Sequence, residues 1–266
     1  GAPFFGPCAV YAGTYEDAKN SDIVVLTSGI ARKPGQTRLE LAQINVGITK
    51  SIIPEITRQA PDATYIIVSN PVDILTYTFT KLSGIPENRI IGSGTILDTA
   101  RLRARISEYF RISQSNVHAY VFGEHGDSAF IPWSVANVSN VPIDECQKVL
   151  GHSPLENPAM DYDEIEQYVK KSGGRVIARK GATFYAVSIS VCHIIKSLLN
   201  GMDTTMTVST MMHGEYGIDD VCLSTLNLVG NKQVNGKVLV PLTDNEVARL
   251  RASADTLKGI IKGLTI

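Results

Sequence analysis

The octet Val121–Ser128, VFGEHGDS, sets one histidine, His125, between two glycines with an acid on either side. The run from Val117 to Phe122 is apolar apart from His118 and reads as a strand, which the glycines end. A ring at the carboxyl end of a strand, on backbone that can approach a ligand closely, suits proton transfer near neutral pH. The same ring could be a loop histidine bonded to a carbonyl, and the octet alone leaves both readings open.

Two further stretches carry charge in places that could do chemistry. In ILDTARLR, Asp98 and Arg101 lie three apart and share a helix face. An exposed pair of that kind is commonplace and worth little. Here Leu97, Leu102 and Ile106 require much of the same helix to be buried. The loop SGIARKPGQTRLEL holds Arg32, Lys33 and Arg38 around a Pro34-Gly35 turn. It reads either as a solvated loop or as a lid that carries an arginine to a bound anion.

The elements that must position these residues alternate through the first half of the chain. DIVVLTSG, ATYIIVSN and NRIIGSG read as strands, each followed by a stretch with helical spacing. In the first of those helices Pro54 predicts a kink or a break, and Gly84 stops the second. Such alternation implies an α/β protein with a parallel sheet and crossover helices. From about Val117 shorter strands are expected, with long helices over 161–176, 181–200 and 244–264. A boundary near Gly92–Gly94 divides the chain into a nucleotide-binding part, 1–92, and a second α+β part, 93–266. Ligands of doubly wound sheets sit at the carboxyl ends of the strands. There the small polar groups Thr27-Ser28-Gly29, Ser69-Asn70 and Gly92-Ser93-Gly94 fall in register.

Composition narrows the function classes. With 266 residues, 44% hydrophobic and 19% charged, the chain can bury a sizeable core. A formal net charge of -1 without cationic runs argues against a nucleic-acid or membrane surface. Cys8, Cys146, Cys192 and Cys222 form no CxxC pair, so neither zinc nor a disulfide framework is expected, which fits a reducing cytoplasm. His118, His152, His193 and His213 are too scattered for metal-ligand spacing. A hydrolase or metal enzyme built on His125 with Glu124 or Asp127 is the reading of another class.

Taken in order, ARKPGQTRLEL, VSNPVDILTY, IGSGTILDTARLR, NVHAYVFGEHGDS and RKGATFYA closely resemble the bacterial L-lactate branch of the lactate/malate dehydrogenase family, across essentially the whole chain. The resemblance implies a doubly wound (Rossmann) NAD domain followed by a substrate domain, and hydride exchange between NADH and pyruvate or lactate. It makes His125 the general acid/base, Asp98 its partner, Arg101 the clamp on the substrate carboxylate and Arg38 the lid residue polarising the carbonyl. Asn70 and Thr183 would meet substrate. Thr27, Gly29, Ser51, Val68, Asn70 and Ser93 would touch NAD. Arg103 and His118 match positions where allosteric members bind fructose 1,6-bisphosphate between subunits, and a homotetramer is implied.

Two departures qualify the match. Arg32 stands where lactate enzymes commonly carry glutamine and malate enzymes carry arginine, which makes malate the runner-up substrate. The fingerprint G-x-G-x-x-G occurs nowhere in the 266 residues. The doubly wound sheet is therefore expected to be incomplete, lacking its N-terminal phosphate-binding region. A chain without that region is expected to bind NADH poorly, which leaves an inactive interaction fragment as a further alternative.

Overall fold

The tetrapeptide Ile-Val-Val-Leu forms strand β1 (Ile23–Leu26) in a computed structural model that describes residues 8–31, 37–149 and 160–266. Helix α1 (Arg38–Gln59) crosses over to the fully buried β2 (Thr64–Ile67), and α2 (Val72–Leu82) crosses to β3 (Ile90–Gly92). The strands pair in parallel, Ile23 opposite Thr64 and Tyr65 opposite Ile90. Parallel neighbours need such crossovers, because a tight turn cannot return the chain in the same direction. Gly84, at φ +70°, takes the left-handed conformation just past α2.

α1 runs unbroken through Pro54, against the expected kink or break. Proline removes one backbone bond, but Ile53 and Ile56 are buried on either side of it, so packing holds the helix through the gap.

The second half opens with α3 (Ile96–Phe110), whose Asp98, Leu102, Ile106 and Phe110 form one buried stripe. A small antiparallel sheet follows, made of β4 (Val117–His118), β5 (Asn137–Val138) and β6 (Val141–Pro142). Then come α4 (Cys146–Val149), α5 (Tyr162–Lys180) and α6 (Tyr185–Leu198). The strands beyond are not short: β7 (Thr204–His213) and β8 (Asp219–Gly230) form a long hairpin that β9 (Gln233–Lys237) extends. Both are buried over most of their length, including polar positions such as Thr207, Ser209, Ser224 and Asn227. Helix α7 (Asp244–Lys262) ends the fold, started by a Thr243/Glu246 capping box.

β7 joins β3 through Gly92 and Ser209, so a single mixed sheet runs β1-β2-β3-β7-β8-β9 across the boundary expected near Gly92–Gly94. One core, including Tyr65, Phe79, Phe122, Phe130 and Leu250, lies against this sheet. A second joins Leu102, Ile106, Phe110, Val117 and Val169 beneath the small sheet. Among the described residues no helix is long and apolar enough to cross a membrane.

Candidate active site

The loop bearing His125 is closed at its base and tethered from three sides. Phe122 and Phe130 exchange backbone bonds of 2.9 and 3.0 Å and bury their rings edge to face. Gly123 exchanges bonds of 3.0 and 3.1 Å with Ser224 on β8. Gly123 has φ +94°, and a Cβ there would come within 2.7 Å of Ser253 Oγ on α7, so only glycine fits. That hydroxyl instead accepts the Glu124 N–H at 2.8 Å. The next N–H, of His125 itself, donates to Asp73 Oδ2 at 2.8 Å.

His125 Nδ1 lies 2.6 Å from Asp98 Oδ2, and Arg101 Nη1 donates to Asp98 Oδ1 at 2.9 Å. One carboxylate therefore serves both cations with separate oxygens. Asp98 sits in the first turn of α3, where the helix dipole favours a negative charge. Its side chain is 9% exposed and that of Arg101 19%, so this is not the loose surface pair the spacing allowed. Removing one partner of a buried pair typically costs about 3–5 kcal/mol, against 0–1 for an exposed one.

The electrostatics follow from that geometry. Burial alone would push the Asp98 carboxyl up, but His125 and Arg101 outweigh it and hold the group below the usual carboxylate range. Burial likewise works against a charged imidazole, yet Asp98, with Asp73 behind the loop, raises His125 to about 9. The ring keeps 29% of its surface open, which leaves an edge for a ligand. Burial pushes Asp73 up to about 6, with bonds from Ser209 and the His125 backbone limiting the rise.

Arg38 also reaches this loop. The Thr37/Glu40 capping box begins α1 and sets Arg38 in its first turn. From there the guanidinium pairs with Asp127 and stands 3.5 Å from Glu124 Oε1, the two acids that flank His125. Those acids are thus engaged elsewhere, and neither is the ring's partner. Arg32 lies outside the described residues. Thr183 is half-buried between α5 and α6, and α6 packs on the helix that carries Asp98 and Arg101.

The expected cofactor residues gather at the strand ends, with one exception. Thr27 and Gly29 follow β1 and are exposed; Val68 N donates to Leu26 O at 3.0 Å, and Ser93 N to Ile67 O at 2.8 Å. Asn70 is exposed just before the cis bond to Pro71. Ser51 instead lies on the exposed side of α1, with its hydroxyl donating to Ile48 O. Asn45, which sequence reasoning missed, ties the strand ends together: it accepts from Ile30 N at 2.8 Å and donates to Asn70 O at 2.7 Å. A Cβ on Gly29 would come within 3.2 Å of Asn45 Oδ1, so the backbone there is kept low and open. Beside it, the Ser69 hydroxyl is buried without a partner, in a small cavity shared with Ser28 and Thr49. Small, open, polar strand ends of this kind fit a nicotinamide and its ribose.

Arg103 and His118 lie on packed elements, α3 and β4. Arg103 is half-buried; its Nε donates to Ala119 O at 3.0 Å, and its guanidinium stacks 5.1 Å from the Tyr120 ring. His118 is exposed. Asp73, Ser209 and Ser253 escaped the sequence reading, although a carboxylate set in the apolar run VDIL was a visible signal at Asp73.

Comparison with known proteins agrees with this geometry. The family model for the lactate/malate dehydrogenase NAD-binding domain matches residues 2–92, and that for the α/β C-terminal domain matches residues 95–265. The NAD-binding domain is therefore present, and the expected loss of its opening region draws no support from the match. An L-lactate dehydrogenase of Acetivibrio thermocellus is 43% identical over 267 residues, covering 100% of this chain and 83% of that protein. L-lactate dehydrogenase 1 of Clostridium acetobutylicum is 44% identical, covering 97% and 82%. Among solved structures, a lactate dehydrogenase from a Medee basin deep-sea metagenome library superposes with TM-score 0.90 at 35% identity, over 98% of this chain and 83% of that one. The minor L-lactate dehydrogenase of Enterococcus mundtii does so with TM-score 0.90 at 34% identity, over 97% and 81%. With both domain models matched in order along the chain, the protein belongs to the lactate/malate dehydrogenase family.

Proposed function

We propose that this chain is an L-lactate dehydrogenase, exchanging a hydride reversibly between NADH and pyruvate with His125 as general acid and base. The observation that carries the reading is the shared carboxylate: Asp98 holds the imidazole with one oxygen and Arg101 with the other.

The hydride comes from bound NADH, which Thr27, Gly29, Val68, Asn70 and Ser93 would hold at the strand ends. In pyruvate reduction the new C–H bond forms at the keto carbon, and the carbonyl electron pair moves onto oxygen. The proton on His125 Nε2 passes to that oxygen, giving the hydroxyl of lactate. Asp98 accepts at Nδ1, which orients the ring and favours the imidazolium before transfer. The N–H groups of Arg101 not committed to Asp98 are suited to a two-pronged grip on the substrate carboxylate. Arg38, brought to the His125 loop, would polarise the carbonyl and stabilise the charge that builds on oxygen. Lactate oxidation runs the same steps backward and needs the neutral ring.

Assembly and activation extend the reading. A homotetramer is the assembly proposed; the apolar surface of α6, where Tyr185 and Ile189 are 75% and 71% exposed, is suited to subunit contact. Arg103 with His118 is the candidate fructose 1,6-bisphosphate contact. The deciding experiment is NADH oxidation by the purified protein with pyruvate. Turnover that His125→Gln abolishes supports the reading. Folded protein that oxidises no NADH with pyruvate or oxaloacetate sinks it, in favour of an inactive interaction role.

A further inference from the structure

Asp73 is the least expected charge near the site. It lies on α2, meets the backbone of the His125 loop where Asp98 meets the ring, and is 2% exposed. Its two oxygens take different jobs. Oδ2 accepts the peptide N–H of His125 at 2.8 Å, and Oδ1 accepts the hydroxyl of Ser209 at 2.6 Å. Ser209 is the residue through which β7 meets β3, so Asp73 joins a crossover helix, the seam of the sheet and the loop bearing the imidazole. A fully buried carboxylate costs free energy unless its acceptor sites are filled, and a hydrophobic residue at that position of VDIL would avoid the cost. Helix packing therefore does not explain the acid.

We propose that Asp73 is a positioning residue for proton transfer: it fixes the backbone of His125 and sets a second negative charge behind the ring that Asp98 already holds. The role rests on the dehydrogenase reading. The charged and titratable groups around the His125 loop are Asp98 and Arg101 from α3, Asp73 from α2, Glu124 and Asp127 from the loop itself, and Arg38 from α1, which pairs with those two acids. Asp73 in turn feels Ser209 from β7, Glu124 from the loop and the Cys222 thiol from β8. Burial pushes that thiol well above its usual range, so it stays neutral throughout. Asp73 loses its proton near pH 6 and His125 near 9. Over the interval between them the carboxylate is charged and helps keep the imidazole protonated.

The test is Asp73→Asn in the full chain. The amide oxygen can still accept the His125 N–H while its NH2 faces the Ser209 hydroxyl, so the shape survives and the charge goes. Imidazole NMR, with His125 assigned by loss of its signals in His125→Gln, is expected to show the ring titrating at lower pH than in the parent. In pyruvate reduction kcat is expected to fall about tenfold to a hundredfold, with the KM for pyruvate within about twofold because Arg101 is untouched. A variant whose His125 titration and kcat both coincide with the parent's overturns the proposal. Should Asp73→Asn not fold, the parent itself gives the second measurement: the His125 backbone N–H, which Asp73 Oδ2 accepts, should shift in the NMR spectrum with a midpoint near pH 6 as that carboxylate ionises. An N–H signal flat across that range overturns the proposal equally. The NMR titration needs no turnover, so a parent that fails to reduce pyruvate would sink the dehydrogenase reading while the Asp73 test still reads out.

Discussion

The imidazole of His125 and the carboxylate of Asp98 meet at 2.6 Å across a contact between a loop and a helix that lie 27 residues apart in sequence. Arg101 leans on the other oxygen of that carboxylate. The acid is therefore the point through which substrate binding and proton transfer would influence each other. The behaviour expected of the enzyme follows from that relationship.

Asp98→Asn keeps the size of the side chain and removes its charge. It should lower kcat for pyruvate reduction by about 10²- to 10⁴-fold, the range general acid–base catalysis contributes. Steady-state kinetics at neutral pH would check this; a loss below about threefold would mean that the ring does not depend on the carboxylate.

The pH profile should be displaced upward. A histidine raised to about 9 stays protonated through neutrality. Pyruvate reduction should therefore be level there and fall as pH rises through about 9, whereas lactate oxidation should rise over the same interval. The sign carries to stability: the His125 contribution is full below the ordinary imidazole pKa, about 6.5, and is lost as pH climbs through about 9. The Asp98 contribution has the opposite sense and is lost on acidification, because its carboxyl is held low in the folded state. A kinetic midpoint at an ordinary imidazole value would contradict the assignment.

Arg101→Lys retains the charge but loses the planar fork. Lysine can offer Asp98 or a substrate carboxylate a point contact, not a two-pronged one. The KM for pyruvate should rise about tenfold to a hundredfold, in line with ~1.5–3 kcal/mol for a hydrogen bond to a charged group. An unchanged KM would remove Arg101 from the substrate site.

Arg32 is the residue expected, from the family resemblance, to bear on the choice between pyruvate and oxaloacetate. A cation closed over a methyl group lacks a partner, while a second substrate carboxylate would supply one. The parent should still prefer pyruvate in kcat/KM, and Arg32→Gln should widen that preference. A parent that favours oxaloacetate tenfold or more, ~1.4 kcal/mol, would make it a malate enzyme.

Fructose 1,6-bisphosphate should lower the KM for pyruvate, and Arg103→Gln should abolish the response. The guanidinium already bonds to Ala119 O and stacks on Tyr120, so its orientation is set before any phosphate arrives. Titrating the activator against both proteins checks this. An equal response in the variant would place the effector elsewhere.

Local patterns were enough to read the parallel strands, the first crossover helices and the glycine-bounded histidine, because periodicity and turn chemistry act over a few residues. The spacing of Asp98 and Arg101 put them on one helix face, and the resemblance supplied their roles. The length of the β7 and β8 hairpin was not legible, since polar residues such as Thr207, Ser209, Ser224 and Asn227 are buried along it and read in sequence as exposed or turn positions. Nor was Pro54 a break, because flanking buried residues outweighed one lost backbone bond. Asp73, Ser209, Asn45 and Ser253 act through contacts between segments far apart in the chain, and such contacts leave no local signature. Which residues can do chemistry was written in the chain; which carboxylate faces which nitrogen was decided only when α2, α3, α7 and the loop packed around one buried site, because partner choice there depends on burial and geometry together.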